Sequence, residues 1–162
     1  MRIETIFLDI DGCIADFEKR YIELYGITPK EADTKGRFKD DFKHFIETGQ
    51  FATLDPMPDA VELLKYIDSL DIPKFILGST AYEKVHVEVS RQKEIWLNDM
   101  DIDYPPIFVP GKRLKAQYAK PNSVLIDDTK SNIDQWNAKG GISILHTSAK
   151  STIQQLRDIL LS

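Results

Sequence analysis

Five short apolar runs punctuate the chain, and between them the apolar positions recur at helical spacing. The runs are Ile3 to Leu8, 75–78 (FILG), 107–110 (IFVP), 123–126 (SVLI) and 142–146 (ISILH), each short enough for a strand and each bounded by a polar residue, glycine or proline. A helix is predicted from Ala15 to Tyr25, where Phe17, Tyr21 and Leu24 share a side and Gly26 and Pro29 stop it. The segment 59–70 (DAVELLKYIDSL) places Ala60, Leu63, Leu64, Ile67 and Leu70 on one face. After Thr80 a long helix is expected, its stripe made of Tyr82, Val85, Val89 and Trp96, with His86 among the surface positions. LKAQYA reads as a short helix, NIDQWNAKGG as one closed by glycines, and STIQQLRDIL as the last. Strands alternating with helices imply an α/β fold with a mostly parallel sheet and right-handed crossovers.

The pattern breaks between residues 27 and 56. This tract is polar, and Phe38, Phe42, Phe45, Ile46 and Phe51 are spaced like one face of short helices, which marks an insertion into the α/β frame. Most of its phenylalanines are expected to pack the insertion onto the core.

Chemistry gathers where the runs end. The first run delivers Asp9 and Asp11, followed by Gly12. Two acids one residue apart on a continuing strand point to opposite faces, so the chain must leave the extended form at Ile10 if both serve one site. Gly12 permits that turn and a close backbone approach. Asp-Gly is also an ordinary turn dipeptide. Against that reading stand the hydroxyl pair Ser79 and Thr80 after FILG and the acidic pair Asp127 and Asp128 after SVLI. Three unrelated turns do not account for polar, phosphate- or metal-competent groups at the ends of three strands, where ligands of open α/β sheets bind.

The segments DIDGCIADF, FILGST, KRLKAQYAK and VLIDDTKSN resemble the four motifs of the haloacid dehalogenase (HAD) superfamily of phosphatases, across the whole chain. More narrowly, DIDGCIADFE, DPMPDAVELL, Arg113-x-Lys115 and LIDD resemble the 5'(3')-deoxyribonucleotidase-like group. The resemblance implies a Rossmann-like core, residues 1–16 and 57–162, and a small helical cap, about 17–56, that closes over the site. It implies a Mg2+-dependent phosphomonoester hydrolase acting on a small phosphorylated substrate, a nucleoside monophosphate, through an aspartyl-phosphate on Asp9. Metal ligands would come from Asp9, the Asp11 carbonyl, and Asp128 or Asp127. Asp11 would be the acid and base; Ser79 or Thr80 would hold the phosphoryl group. Lys115 would offset its charge, with Lys120 a less well placed alternative, and Asn132 would support the carboxylates or a metal water. Phe17 matches the position of an aromatic that stacks on the base, Phe51 lies near a second, and Arg113 matches a phosphate-side arginine.

Composition narrows the partners. With 162 residues, 42% hydrophobic and 29% charged, the chain makes one domain with a single core. A formal charge of −5 and scattered basic residues argue against an extended nucleic-acid surface, whereas the cluster Lys112, Arg113, Lys115 suits one phosphate. A nucleic-acid 3'-phosphatase is thereby the weaker alternative, a sugar-phosphate phosphatase another. A non-catalytic phosphate-binding or interaction module would need a missing nucleophile, acid or lysine, and all three are present. The one cysteine, Cys13, excludes an internal disulfide and reads as a small buried hydrophobe rather than a nucleophile. A strand beginning almost at once leaves no signal peptide, and no run reaches the roughly eighteen apolar residues of a membrane span. A cytoplasmic protein, monomeric or homodimeric, is expected.

Overall fold

The computed structural model describes residues 2–162. Five parallel strands, β1 (Thr5–Leu8), β2 (Lys74–Ser79), β3 (Pro106–Val109), β4 (Ser123–Asp127) and β5 (Ile142–Leu145), form one sheet in the order β3-β2-β1-β4-β5. Central β1 pairs on both sides, Leu8 lying opposite Ile76 of β2 and Ile126 of β4. Successive strands grow outward from β1 first in one direction and then in the other, so the sheet's switch point lies at the carboxyl end of β1.

Side chains leave the strands alternately. Ile6, Leu8, Ile76, Val124, Ile126 and Ile144 enter one core, and Phe7, Leu77, Val109 and Leu125 enter another. The larger core is closed by α4 (Ala60–Asp68), α5 (His86–Asp99) and α7 (Ala149–Leu161), the smaller by α6 (Lys130–Ala138) and a 3-10 turn at Lys112–Tyr118. Trp136 of α6 packs edge-on against Phe7, ring centroids 5.3 Å apart.

Two helices differ from the sequence expectation. LKAQYA, as far as Tyr118, is part of that 3-10 turn, and Ala119 is its extended cap. The long helix starts only at His86, after a short 3-10 turn at Glu83–Val85, and Tyr82 lies outside it and exposed. Ala81 explains the delay: its φ of 78° is left-handed and cannot continue into a right-handed helix.

Residues between β1 and α4 fold as α1 (Phe17–Tyr25), α2 (Pro29–Thr34), α3 (Phe38–Glu47) and a 3-10 turn at Gln50–Thr53. Asp16 caps α1 by accepting from the Lys19 N–H, and Gly26 ends it in the left-handed conformation. Thr28 and Glu31 form a reciprocal capping box on α2, with Pro29 in its first turn. The chain enters and leaves the insertion side by side, since the Asp16 N–H donates to the Asp55 carbonyl at 2.8 Å. The insertion is fastened to α5: Gln92, fully buried, accepts from the Phe51 N–H at 3.1 Å and donates to the Ile46 carbonyl at 2.8 Å. Trp96 adds an indole N–H to the Leu54 carbonyl at 2.8 Å.

Candidate active site

The carboxyl ends of β1, β2 and β4 open into a cavity of about 680 Å³. Its floor is polar. After Leu8 the chain turns sharply, and the Ile10 carbonyl accepts from the N–H groups of Cys13, Ile14 and Ala15, so Asp9 and Asp11 both reach the cavity, as the sequence requires of a shared site. Gly12 carries a φ of 83°, and a β-carbon there would lie 1.8 Å from Asp128 Oδ2. Only glycine lets the β1 loop and the β4 end meet so closely.

Lys115, only 3% exposed, joins the two strand ends by donating to Asp9 Oδ1 at 2.9 Å and Asp127 Oδ2 at 2.8 Å. Asp127 also accepts from Asn132 Nδ2 at 3.0 Å and from the Thr129 N–H at 2.9 Å, so both its oxygens are committed to protein donors. Asp128 is more open, holding only the Thr129 hydroxyl at 3.2 Å. Ligand atoms of Asp9, Cys13 and Asp128 lie within 4.8 Å of one another.

Negative charge is in excess here. Burial, then the Asp127 charge, pushes Asp9 well above the usual carboxylate range, with Lys115 pulling the other way. Asp128 is pushed up to about 6 by desolvation at the cavity floor, then by Asp127. Burial alone would lower the Lys115 ammonium, but the charges of Asp9 and Asp127 overcome it and hold the group above the ordinary lysine range. Burial also pushes the Cys13 thiol up, which disfavours its thiolate form.

At the end of β2 the two hydroxyls have different fates. Thr80 is buried, its Oγ1 2.7 Å from His86 Nδ1 and 3.2 Å from the Val109 carbonyl oxygen. Ser79 is partly exposed, and its Oγ accepts from the Ala81 N–H at 3.1 Å. His86, expected at the surface, is half-buried as the anchor of Thr80.

The roof is apolar and comes from the insertion. Phe17 and Phe51 stack with centroids 5.6 Å apart and planes 13° from parallel, and Phe38 stacks on Phe42 at 5.3 Å. All four rings line the cavity, with Pro29 and Met57. Phe38 and Phe42 were expected only to pack the insertion.

The structure thus brings Asp9, Asp11, Ser79, Thr80, Lys115, Asp128, Asn132, Phe17 and Phe51 around one space. Asp127 lies behind Lys115. Arg113 is exposed and outside the lining, where its neighbour Lys112 stands instead, and Lys120 is likewise exposed. One residue escaped the sequence reading altogether: Lys93, 3% exposed, which donates to Asp11 Oδ2 at 2.7 Å and the Ser79 carbonyl at 3.2 Å. Its signal was a lysine on the apolar stripe of a helix, four residues after Val89 and three before Trp96.

Solved structures with this fold include hydrolases of the HAD superfamily. A Had-superfamily hydrolase from Ehrlichia chaffeensis aligns with a TM-score of 0.58 at 12% identity, covering 100% of both chains. A hydrolase from Streptococcus pneumoniae TIGR4 aligns at 0.54 and 18% identity, again over 100% of both chains. D,D-heptose 1,7-bisphosphate phosphatase from Burkholderia thailandensis aligns at 0.53 and 9% identity, covering 95% of this chain and 98% of its own. No curated protein matches the sequence. The profile of the family described as "5' nucleotidase, deoxy (Pyrimidine), cytosolic type C protein" matches residues 2–157. The chain belongs to that family, and is a phosphatase of the HAD type. Among the described residues no helix is long and apolar enough to cross a membrane.

Proposed function

We propose that the protein is a Mg2+-dependent phosphomonoesterase that cleaves nucleoside monophosphates, deoxynucleoside 5'-monophosphates above all, through an aspartyl-phosphate on Asp9. The observation that carries this reading is the placement of Asp9, paired to Lys115, directly below a roof of four phenylalanine rings. The residues fit a hard divalent cation. Asp9 and Asp128 offer oxygens within 4.8 Å of each other, and both are raised by burial and then by the Asp127 charge, which a bound cation would offset. Asn132 Oδ1 is buried without a hydrogen-bond partner among the described residues, an acceptor suited to a metal-bound water. Asp9, the Asp11 carbonyl and Asp128 would hold the ion, and Asp127, saturated by protein donors, would stand behind them. When bound, the ion supplies charge that neutralises the phosphate and keeps Asp9 ionised.

Asp9 attacks phosphorus while the ester oxygen departs with a proton from Asp11; Asp11 then takes a proton from the water that cleaves the acyl phosphate, releasing phosphate and restoring Asp9. Lys115 holds Asp9 against recoil and offsets the charge that gathers on the phosphoryl oxygens. Ser79 is the hydroxyl left for those oxygens, since Thr80 is engaged by His86. The base would lie against Phe17 and Phe51. Asp9→Asn keeps shape but removes the attacking charge, so hydrolysis of a generic phosphomonoester in excess Mg2+ should fall by about three orders of magnitude or more. Turnover near the wild-type level in that variant sinks the covalent mechanism.

A further inference from the structure

Lys93 is the one buried charge at the site to which the proposed mechanism assigns no work. It rises from the middle of α5, and three groups enclose its ammonium. Asp11 Oδ2 lies at 2.7 Å, the Ser79 carbonyl oxygen at 3.2 Å, and the Phe51 ring centroid at 5.0 Å. With 3% exposure it has no water to turn toward, and a lysine so enclosed is retained only where its charge is paired.

Asp11 is asymmetric as a result. Its Oδ1 is enclosed and has no hydrogen-bond partner among the described residues, while the side chain as a whole is 29% exposed. Oδ2 is therefore the carboxylate oxygen open to the cavity, and it is the one that Lys93 grips. A carboxylate on a short side chain in a sharp turn has several rotamers available, and a single strong donor on one oxygen selects among them. The donor is itself fixed from two sides, by the end of β2 through Ser79 and by the insertion through Phe51.

We infer that Lys93 is a positioning residue: by holding Asp11 Oδ2 at the cavity face, it aims the acid at the ester oxygen of the substrate. This rests on the reading of Asp11 as the proton donor. Aim matters most where the leaving group needs its proton, and a misplacement on the order of 1 Å costs about a hundredfold. An alkoxide such as the 5' oxygen of a nucleotide needs that proton, whereas nitrophenolate leaves without it.

The test is a cycle of Lys93→Met, Asp11→Asn and the double variant, assayed with a deoxynucleoside 5'-monophosphate and with p-nitrophenyl phosphate. Lys93→Met should lower kcat on the nucleotide about a hundredfold, with KM shifted less than about threefold, and should lower kcat on p-nitrophenyl phosphate less than about threefold. In the Asp11→Asn background the same substitution should cost nothing further on either substrate. Equal losses on both substrates, or a loss that persists in the Asp11→Asn background, overturn the proposal, because the ammonium would then act on the phosphate or merely support the fold. Should Lys93→Met not fold, Lys93→Gln takes its place in the cycle, with the same outcomes. Asp11→Asn alone keeps the two ideas apart. If it shows no preference between leaving groups, the acid role of Asp11 fails; if it does and Lys93→Met does not, only the role of Lys93 fails.

Discussion

The floor and the roof of the cavity are made from opposite materials and held by opposite means. The floor is four carboxylates and two buried lysines, carried on the ends of β1 and β4, on α5 and on the 3-10 turn at Lys112–Tyr118, and fixed by ion pairs and by hydrogen bonds to backbone. Its geometry is set by the parallel ladder, which leaves little freedom once Leu8 lies between Ile76 and Ile126. The roof is four phenylalanines of the insertion that pack, with Tyr21 and Phe45, onto the larger core. It is placed over the floor by backbone hydrogen bonds to two side chains of α5, Gln92 and Trp96. On the proposed function, chemistry that needs sub-ångström placement sits on the sheet-borne floor, and recognition that tolerates a sliding contact sits on the insertion.

The contrast can be broken most sharply from below. Gly12→Ala puts a methyl group 1.8 Å from Asp128 Oδ2 at a φ of 83°, so the carboxylate or the loop must move by more than 1 Å. Phosphatase activity should drop at least about a hundredfold, with Mg2+ affinity by titration calorimetry weakened alongside it. Retained affinity would mean that Asp128 is not a ligand.

An attack on the joint between the two parts comes next. Gln92→Ala leaves the Phe51 N–H buried without its partner and takes one donor from the Ile46 carbonyl, which keeps the Gly49 N–H at 3.0 Å, at a cost of about 1–3 kcal/mol in chemical denaturation. Hydrolysis of p-nitrophenyl phosphate at a temperature where the variant is folded should change much less than the nucleotide rate, because the latch reaches the floor through Phe51 and Lys93, whose proposed work is on the alkoxide leaving group.

Roof substitutions are milder. Phe17→Ala removes a stacking face worth roughly 1–2 kcal/mol, so a preference for deoxynucleotides over sugar phosphates should shrink by about tenfold while a small generic substrate is cleaved as before. A screen covering deoxynucleotides, ribonucleotides, sugar phosphates and 3'-phosphorylated oligonucleotides reads this directly. An unchanged ranking would make Phe17 core packing.

The smallest effect is one of pH. Asp9 and Asp128 both titrate above the ordinary carboxylate value in the folded protein, Asp128 at about 6, so folding favours their protonated forms. Metal-free protein should therefore gain stability as pH falls from 7 through 6 toward the unfolded carboxylate range near 4, and lose it as pH rises again. Solvent screening keeps the part due to exposed Asp128 to about 1 kcal/mol or less. Saturating Mg2+ should flatten the slope, which thermal melts at several pH values would show.

The sequence by itself determined the alternation of strands and helices, the parallel sheet, and the polar floor, because strand-sized apolar runs and the acids that end them are local signals that survive in any α/β packing. Asp9, Asp11, Ser79 and Asp128 were legible for that reason, and so was the need for a glycine after Asp11; Lys115 and Asn132, on a 3-10 turn and a helix, entered through the family resemblance. Tertiary structure alone decided between neighbours. It bound the Thr80 hydroxyl to His86 and left Ser79 partly exposed, committed Asp127 to Lys115 and left Asp128 open, and brought Lys112 to the lining rather than Arg113. It also carried Lys93 to Asp11 across 82 residues and raised Phe38 and Phe42 into the roof. Such choices turn on a few ångströms and a side chain's direction, and one-dimensional spacing holds neither, since the partner that fixes each group arrives from a distant part of the chain.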